Sequence, residues 1–536
     1  MPFATTHSVT VIGAMGHLLD VQADVSSGQP GITVVGRADA AQREGVDRVR
    51  MAISNSDLKW PAGHRITILL SPADLPKAGT HLDLAMAVSI LAANQQVPLA
   101  AISGVAFIGE LTLAGGLRPA IGVLPMVLAA RERGVRRIFV PEPQADEARL
   151  VEGIDVVPVR SLSQVVAALD DKECPAAPPV AAASASHLVT WRGSERLDEL
   201  DLADLRGMED EKYAVEVAAA GGHAVLLTGA KGCGKTSLAE RIPTLLPDLT
   251  REESLEVTAL HSLAGTLRAG EGMIVRPPFA APHHDASKAS VIGGGLVRVQ
   301  PGEVSRTHAG VLFLDEFPLF RSDVIDALRQ PLESGEVTVA RRDESVTLPA
   351  AGMLVLASNP CPCGNWTARA GTNRCQCAER VRRLYQARIS GPVADRIDII
   401  RHVQPAFPAS HDPFVAPTTS ALVRERVTAA RQRQAERFDG RGWRLNAHIP
   451  SPRLKDTWPV EPDAQRLVDA ETYAGRLSAR GAVRVLRVAW TIADLRTRAG
   501  EPDLRPGVDE VATALRLRQG KPLDLSSLRP RDEGVA

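Results

Sequence analysis

The stretch "GAKGCGKT" at Gly229–Thr236 sets an ammonium and a hydroxyl directly behind a run of glycines. It fits G-x-x-x-x-G-K-[ST], the spacing with which a loop wraps phosphates. Gly229, Gly232 and Gly234 let backbone N–H groups turn inward around an anion at the start of a helix. Lys235 then reaches the β- and γ-phosphates, the Thr236 hydroxyl binds Mg2+, and Ser237 completes the nucleotide-binding set. Ahead of the loop, "HAVLLT" reads as a buried strand; after it, "SLAERIPTLL" reads as an amphipathic helix. Such a loop needs an acidic partner on a second strand, and "GVLFLDE" at Gly310–Glu316 offers one. Asp315 is placed to hold the hydrated metal and Glu316 to polarise the attacking water. An ordinary strand ending in an acidic turn is the plainer alternative, and the phosphate loop upstream outweighs it. The next buried run, "MLVLAS", ends at Asn359, a polar tip suited to orienting the water near the γ-phosphate.

Two residues beyond Asn359 begins a cysteine cluster. Cys361, Cys363, Cys375 and Cys377 form C-x-C-x11-C-x-C, four of the six cysteines in 536 residues. Four thiolates in two short pairs suit tetrahedral Zn2+, although the spacing differs from the common C-x2-C knuckle. The segment is rich in Gly, Asn and Thr and has little to fold around, so a metal would order it. An iron–sulfur cluster and plain reduced thiols remain alternatives. His283 and His284 in "APHHDASKASVIGGG" are ligand types as well, without a visible partner cluster.

The scaffold that must position these groups is legible in coarse form. Composition is 44% hydrophobic and 23% charged with a formal net charge of −1, which fits a soluble globular chain and argues against a protein that coats nucleic acid. No window approaches the roughly 18 apolar residues of a membrane span, and "MPFATTHSVTVIGAMG" lacks the pattern of a secretory signal. Clustered cysteines do not suggest a disulfide framework, so a reducing cytoplasm is the expected location. Up to about Leu169, strand-like runs ("HSVTVIGAM", "GITVVG", "HRITILLSP", "RRIFVPE") alternate with helical ones ("AAQREGVDRVRMAISNS", "HLDLAMAVSILAANQ", "VLPMVLAARERG"). An α/β domain over 1–170 is expected, then a Pro/Ala-rich linker over 171–195 around "KECPAAPPVAAASASH", an α/β nucleotide core over 196–410, and a mostly helical region over 411–536. From about Thr418 arginines accumulate, which fits either genome composition or a basic working surface.

This order of motifs resembles the AAA+ ATPases and, more narrowly, the Mg-chelatase-like family usually called YifB or ComM. The narrower resemblance rests on "DLRGMEDEKYAVEVAAAGGHAVLL", "FAAPHHDAS", "PGEVSRTHAGVLFLDE", "LRQPLESGEVTVAR", "SNPCPCG", "RISGPVADRIDI" and "LSARGAVRVLRVAWTIADL", spread over roughly 8–498. The phosphate loop departs from the family in reading Ala230-Lys231 where two prolines are usual, and Cys233 where a small hydroxyl residue is common. The resemblance implies ATP and Mg2+ as cofactors and a ring, a homo-hexamer with ATP sites between subunits. It puts an arginine finger at Arg396, with Arg388 second, and a sensor arginine at Arg487, with Arg480 and Arg484 on the same helix. "GEVTVARRDESVTLPA" reads as a β-hairpin; in this branch such a hairpin projects into the ring pore, where Arg341 and Arg342 at its tip would meet DNA phosphates. The loop carrying His283 and His284 is then expected at the pore or the subunit interface.

"LPKAGTHLDLAMAVSILAA" and the region after it look like the Lon protease fold (ribosomal S5 domain 2-like). The nucleophilic serine of that fold falls at His81 and its lysine base at Leu124, while Lys77 belongs to the preceding turn. Leucine cannot deprotonate anything, so the expectation is a non-proteolytic scaffold. The expected fold class is therefore α/β with a Lon-like N-terminal domain, a P-loop AAA+ core and an α-helical C-terminal lid. The expected function is a DNA helicase or branch-migration motor in recombination or natural transformation. It would act on single-stranded or branched DNA, with other recombination proteins as candidate partners and no membrane. A chelatase motor is the alternative, although the D-x-S-x-S motif of its partner subunit is not found; a protein-remodelling ATPase is another, for which 4% aromatics is a poor fit.

Overall fold

The structure, a computed structural model, describes residues 3–36, 40–73, 75, 77, 79–181, 199–267, 270, 272–295, 299–341, 344–366, 373–389, 393–404, 417–497 and 504–524. Most of the expected linker, Arg342, and the polar C-terminal tail lie outside the described residues.

The first layer is a seven-stranded mixed sheet. Its order is Gly31–Val35, Arg65–Ser71, Met15–Ser26, Phe3–Ile12, Val105–Phe107, Arg137–Pro141, Asp155–Val159. Phe3–Ile12 and Met15–Ser26 pair antiparallel through the two-residue turn Gly13–Ala14, with Gly13 at φ 66°. Along Met15–Ser26, Leu19, Val21, Ala23 and Val25 are buried in alternation and join helix Asp83–Ala93 in one core. Val9, Ala106 and Ile138 join helix Val123–Glu132 in another. Met15–Ser26, Val105–Phe107 and Asp155–Val159 are strands that the sequence reading does not include. His17, Asp20, Gln22 and Asp24 break up the apolar signal of the first, and the second is only three residues long.

The second sheet has five strands, all parallel, in the order Phe279–Ala280, Val311–Leu314, Met353–Ser358, Val225–Thr228, Ile399–His402. Val311–Leu314 and Met353–Ser358 are buried at every residue, as a sheet covered on both faces requires. The phosphate-loop strand Val225–Thr228 therefore lies beside the strand that ends before Asn359, and the acidic strand lies one place further out. All three deliver their polar tips at the same sheet end, where ligands of open parallel sheets bind. The expected helix "SLAERIPTLL" is two short helices, Lys235–Ala239 and Ile242–Leu245. Pro243 has no N–H to give the Ala239 carbonyl, and its ring crowds that turn.

Helices Ser420–Arg437, Pro462–Tyr473, Ala479–Arg496 and Val508–Gln519 form the C-terminal region. Arg437 lies buried between its ion-pair partner Asp494 and the Trp490 ring, 4.6 Å away. No helix among the described residues is long and apolar enough to cross a membrane.

The layers are tied together by buried polar contacts. Glu147 accepts from the Leu124 N–H at 2.9 Å and from Ser262 Oγ on helix Arg251–Ala264 of the nucleotide core, and burial raises its pKa. Leu124 is thus packed at a domain contact. His81 gives a ring nitrogen to the Val9 carbonyl at 2.8 Å, and Lys77 reaches the Pro72 carbonyl. The turn at Gly13 leans on the second strand of the hairpin Glu336–Arg341/Glu344–Pro349: a Cβ at Gly13 would stand 2.6 Å from Val346 Cγ1.

Between sheet and C-terminal helices, Arg484 Nη1 lies 3.2 Å from Asp398 Oδ1, and the Ala224 N–H donates to Asp398 Oδ2 at 2.9 Å. Burial by itself raises the Asp398 carboxyl, but the Arg484 charge, His223 and the Ala224 N–H outweigh it and hold the group well below the usual carboxylate range. A depressed carboxyl stabilises the fold in full above its unfolded value of about 3.9, and the contribution is lost as pH falls toward the folded value. Asp398→Ala strands the Arg484 charge and is expected to cost about 3–5 kcal/mol at pH 7, read as a lower thermal unfolding midpoint, with the deficit shrinking in acid.

Candidate nucleotide site

The phosphate loop is a close-packed turn. Gly232 and Gly234 sit at φ 78° and 96°, in the left-handed region, and a Cβ at Gly229 would meet the Val403 carbonyl at 2.4 Å. Lys235 is 6% exposed, and its ammonium donates to the carbonyls of Gly229 (2.8 Å) and Ala230 (2.9 Å) and to Asn359 Oδ1 (3.0 Å). Asn359 Nδ2 in turn points at Glu316 Oε1, 3.4 Å away. Thr236 Oγ1 donates to Asp315 Oδ2 at 2.8 Å, and Asp315 Oδ1 accepts the Glu316 N–H at 2.8 Å. Glu316 adopts φ 49°, a strained value for a residue with a side chain. Three strand ends thus bring Lys235, Thr236, Asp315, Glu316 and Asn359 into one hydrogen-bonded set. The Thr236 hydroxyl and Asp315 carboxylate are hard oxygen ligands in direct contact, a donor pair that suits Mg2+. Ser237 follows half-buried, its carbonyl taken by Arg241.

The four cysteines converge: all their sulfurs lie within 4.8 Å of one another, and the 361–363, 361–375 and 363–375 pairs are 3.3, 3.6 and 3.7 Å apart. Bonds of about 2.3 Å to a tetrahedral metal imply sulfur separations of about 3.8 Å, so the donor set fits Zn2+ in number, kind and size. Backbone N–H donation, first from Asn365, and the Cys361 thiol bring the Cys363 thiol down to about 6. The cluster also touches the phosphate loop. The Lys231 N–H donates to the Gly364 carbonyl at 3.3 Å, within the turn closed by Gly364 N–H on Cys361 O. Beyond it, Arg382 lies 5.0 Å over Trp366 and Gln386 donates to the Pro360 carbonyl, so helix Glu379–Ala387 is fastened to the cluster.

The arginines divide into two groups. Arg396 pairs with Glu333 at 2.6 Å, and Arg480 approaches the same carboxylate at 3.4 Å and Asp395 at 3.7 Å. Arg388 donates to the Phe320 carbonyl at 2.9 Å. Arg484 is committed to Asp398, and Arg487 turns inward, both donors on the Ile449 carbonyl, with burial pushing its pKa down to about 10. Arg341 ends the first hairpin strand, but its side chain, like all of Arg342, lies outside the described residues. Two contacts escape sequence reasoning. Gly364 against Lys231 is one. The other is His284, whose Nδ1 lies 3.8 Å from Glu316 Oε2. Its only signal is position, just past an edge strand that pairs with the acidic strand.

Gly364 sits at φ 76°, and a Cβ there would stand 3.0 Å from Lys231 Cβ. Gly364→Val is therefore expected to push the phosphate loop and raise the Kd of a fluorescent ATP analogue by about tenfold, equivalent to about 1.4 kcal/mol, with the fold retained by circular dichroism.

Comparison with known proteins covers this site and both flanking regions. Residues 201–410 match the family model described as magnesium chelatase, subunit ChlI; 21–144 match subunit ChlI of Mg-chelatase, and 417–518 match the magnesium chelatase subunit ChlI C-terminal model. Competence protein ComM of Haemophilus influenzae is 39% identical over 500 residues, 92% of this chain and 94% of that one. The uncharacterized protein YifB of Escherichia coli is 38% identical over 497 residues, again 92% and 94%. Lon protease 2 of Bacillus subtilis is 27% identical over 168 residues, 28% of this chain and 30% of that protein, which accords with the Lon-like reading of the first layer. A likeness that runs nearly end to end, through the phosphate loop and its partner strands, shows that the chain belongs to the YifB/ComM family of Mg-chelatase-like AAA+ proteins.

Proposed function

We propose that the chain is an ATP-hydrolysing ring motor that unwinds or branch-migrates DNA, single-stranded or branched, in recombination or uptake of foreign DNA. The observation that carries hydrolysis is the connected set Lys235–Asn359–Glu316 with Thr236–Asp315. Lys235 exchanges its carbonyl partners for the β- and γ-phosphates. Thr236 and Asp315 would hold Mg2+, which would neutralise phosphate charge. Glu316 takes a proton from the attacking water, and Asn359 orients that water. A neighbouring subunit of a hexamer supplies the arginine finger, Arg396 or Arg388. Arg480 is a better sensor candidate than Arg487, because Arg487 is buried on Ile449 whereas Arg480 stands half-exposed beside Arg396.

Action on DNA is supported by the competence role printed in the name of ComM and by the hairpin whose tip carries Arg341 and Arg342. The cysteine cluster is proposed as a structural zinc clip that holds Asn359, the phosphate loop and the helix leading to Arg388 in register. A chelatase-type motor is the second reading, favoured by the magnesium-chelatase family models.

ATPase rate with and without single-stranded and forked DNA separates these readings. The expected result is DNA stimulation at low salt. Lys235→Ala is expected to weaken nucleotide binding, and Glu316→Gln to keep binding while lowering kcat by about 100-fold. Arg341→Ala with Arg342→Ala should flatten the salt dependence of DNA binding and leave ATP binding intact. DNA that neither binds nor stimulates overturns the motor reading. Metal analysis of protein prepared without chelators should find about one zinc per subunit, and a value near zero overturns the clip.

A further inference from the structure

A second set of metal-ligand types gathers where the chain leaves the edge of the nucleotide sheet. In the sequence His283 and His284 are imidazoles without a partner, and the structure supplies one in Asp285. His283 Nδ1 lies 3.3 Å from Asp285 Oδ2, and His284 Nε2 lies 3.7 Å from Asp285 Oδ1. One ligand atom from each of the three residues falls within 4.8 Å of the others. Bonds of about 2.0–2.2 Å from nitrogen and oxygen to a tetrahedral metal set donors about 3.3–3.6 Å apart, so the trio has the dimensions of a metal site. The two rings stand 4.1 Å apart between centroids and approach the same carboxylate.

The electrostatics of this place favour a cation. The Asp285 N–H approaches His283 Nδ1 at 3.4 Å, so that nitrogen offers a lone pair. A lone pair and a carboxylate oxygen facing each other at 3.3 Å repel unless a proton or a metal ion stands between them. Among the described residues the ion-pair partners of Asp285 are the two imidazoles, and no lysine or arginine neutralises it. Glu316, 3.8 Å beyond His284 Nδ1, adds negative potential from the other side of the ring. The backbone fixes the trio between two ordered elements. Phe279–Ala280 pairs with Val311–Leu314 on one side, and Ser287 caps the short helix Lys288–Val291 on the other. Between them the Ala286 N–H closes a turn on the His283 carbonyl at 2.9 Å. Ligands placed in this way lose little freedom on binding.

We propose that His283, His284 and Asp285 form a transition-metal site for a divalent ion such as Zn2+, Co2+ or Ni2+, separate from the thiolate cluster and from the Thr236–Asp315 pair. Two imidazoles and one carboxylate select such ions over Mg2+, which prefers oxygen ligands throughout. Three protein ligands leave at least one position open to water. His283 and Asp285 are 70% and 81% exposed, so the ion exchanges with solvent, unlike one enclosed by four thiolates. The site stands whether or not the chain acts on DNA.

The test titrates Co2+ into reduced full-length protein, free of nucleotide, for wild type, His283→Ala and Asp285→Asn. Cobalt held by imidazole and carboxylate gives visible d–d bands without the near-ultraviolet charge-transfer band of cobalt on sulfur, so uptake at the cysteines is read separately. Wild type is expected to bind about one Co2+ per subunit with the nitrogen–oxygen signature. Each variant is expected to weaken that binding by at least about tenfold, since even the indirect partners of a metal site are worth about 10–100-fold. Circular dichroism should stay unchanged, because both substituted side chains stand mostly in solvent. Excess Mg2+ should leave the cobalt bands in place. A wild type without these bands overturns the proposal and leaves a proton between the imidazoles and Asp285. Bands that either variant retains undiminished overturn it as adventitious binding at other residues, and displacement by Mg2+ overturns the transition-metal assignment.

Discussion

A buried ammonium organises this molecule. Lys235 is almost out of contact with solvent, and its charge is stable there only because three oxygens receive it: two from its own loop and one from Asn359 on the neighbouring strand. The strand order makes the third acceptor available. Met353–Ser358 lies between the phosphate-loop strand and the acidic strand, so its tip presents Asn359 to both Lys235 and Glu316. A phosphate entering the loop competes with Asn359 for the same ammonium. Asn359 thus links the ammonium that such a phosphate would engage to the carboxylate of Glu316.

The parts of this arrangement that sequence alone discloses are those built within a few residues. A glycine run ahead of Lys235-Thr236, four apolar residues ahead of Asp315-Glu316 and a six-residue apolar strand ahead of Asn359 each carry their structural context with them. The paired Cys-x-Cys units do so as well, because two thiols one residue apart can meet a second pair after a single loop closes. The arginines behave differently. Arg480, Arg484 and Arg487 occupy one helix at spacings that give each a different environment, and which of them is buried depends on Asp398, Ile449 and Glu333, remote in sequence. Helical spacing cannot rank them without those partners. Strand Met15–Ser26 was hidden for a related reason: its polar positions face a half-covered side of the sheet, and the apolar alternation becomes clear only once helix Asp83–Ala93 is laid over it.

The first layer retains a protease-like architecture but uses the relevant positions for packing. His81 is spent on a main-chain carbonyl inside the sheet, and Leu124 lies in the apolar cluster that Ala259 of the nucleotide core enters. Substituting a base for Leu124 would bury a charge at that contact.

Fixing the base of the hairpin has a mechanical consequence. Val337, Val339, Val346 and Leu348 are sunk in the apolar core, and the Gly13 turn of the first layer presses on Val346 from the other side. A two-stranded ribbon gripped at its root behaves as a lever with a fulcrum, not as a free flap. Load applied to it must be borne either by bending the ribbon or by rocking the root against both layers at once, so the first layer bears on the compliance of the ribbon.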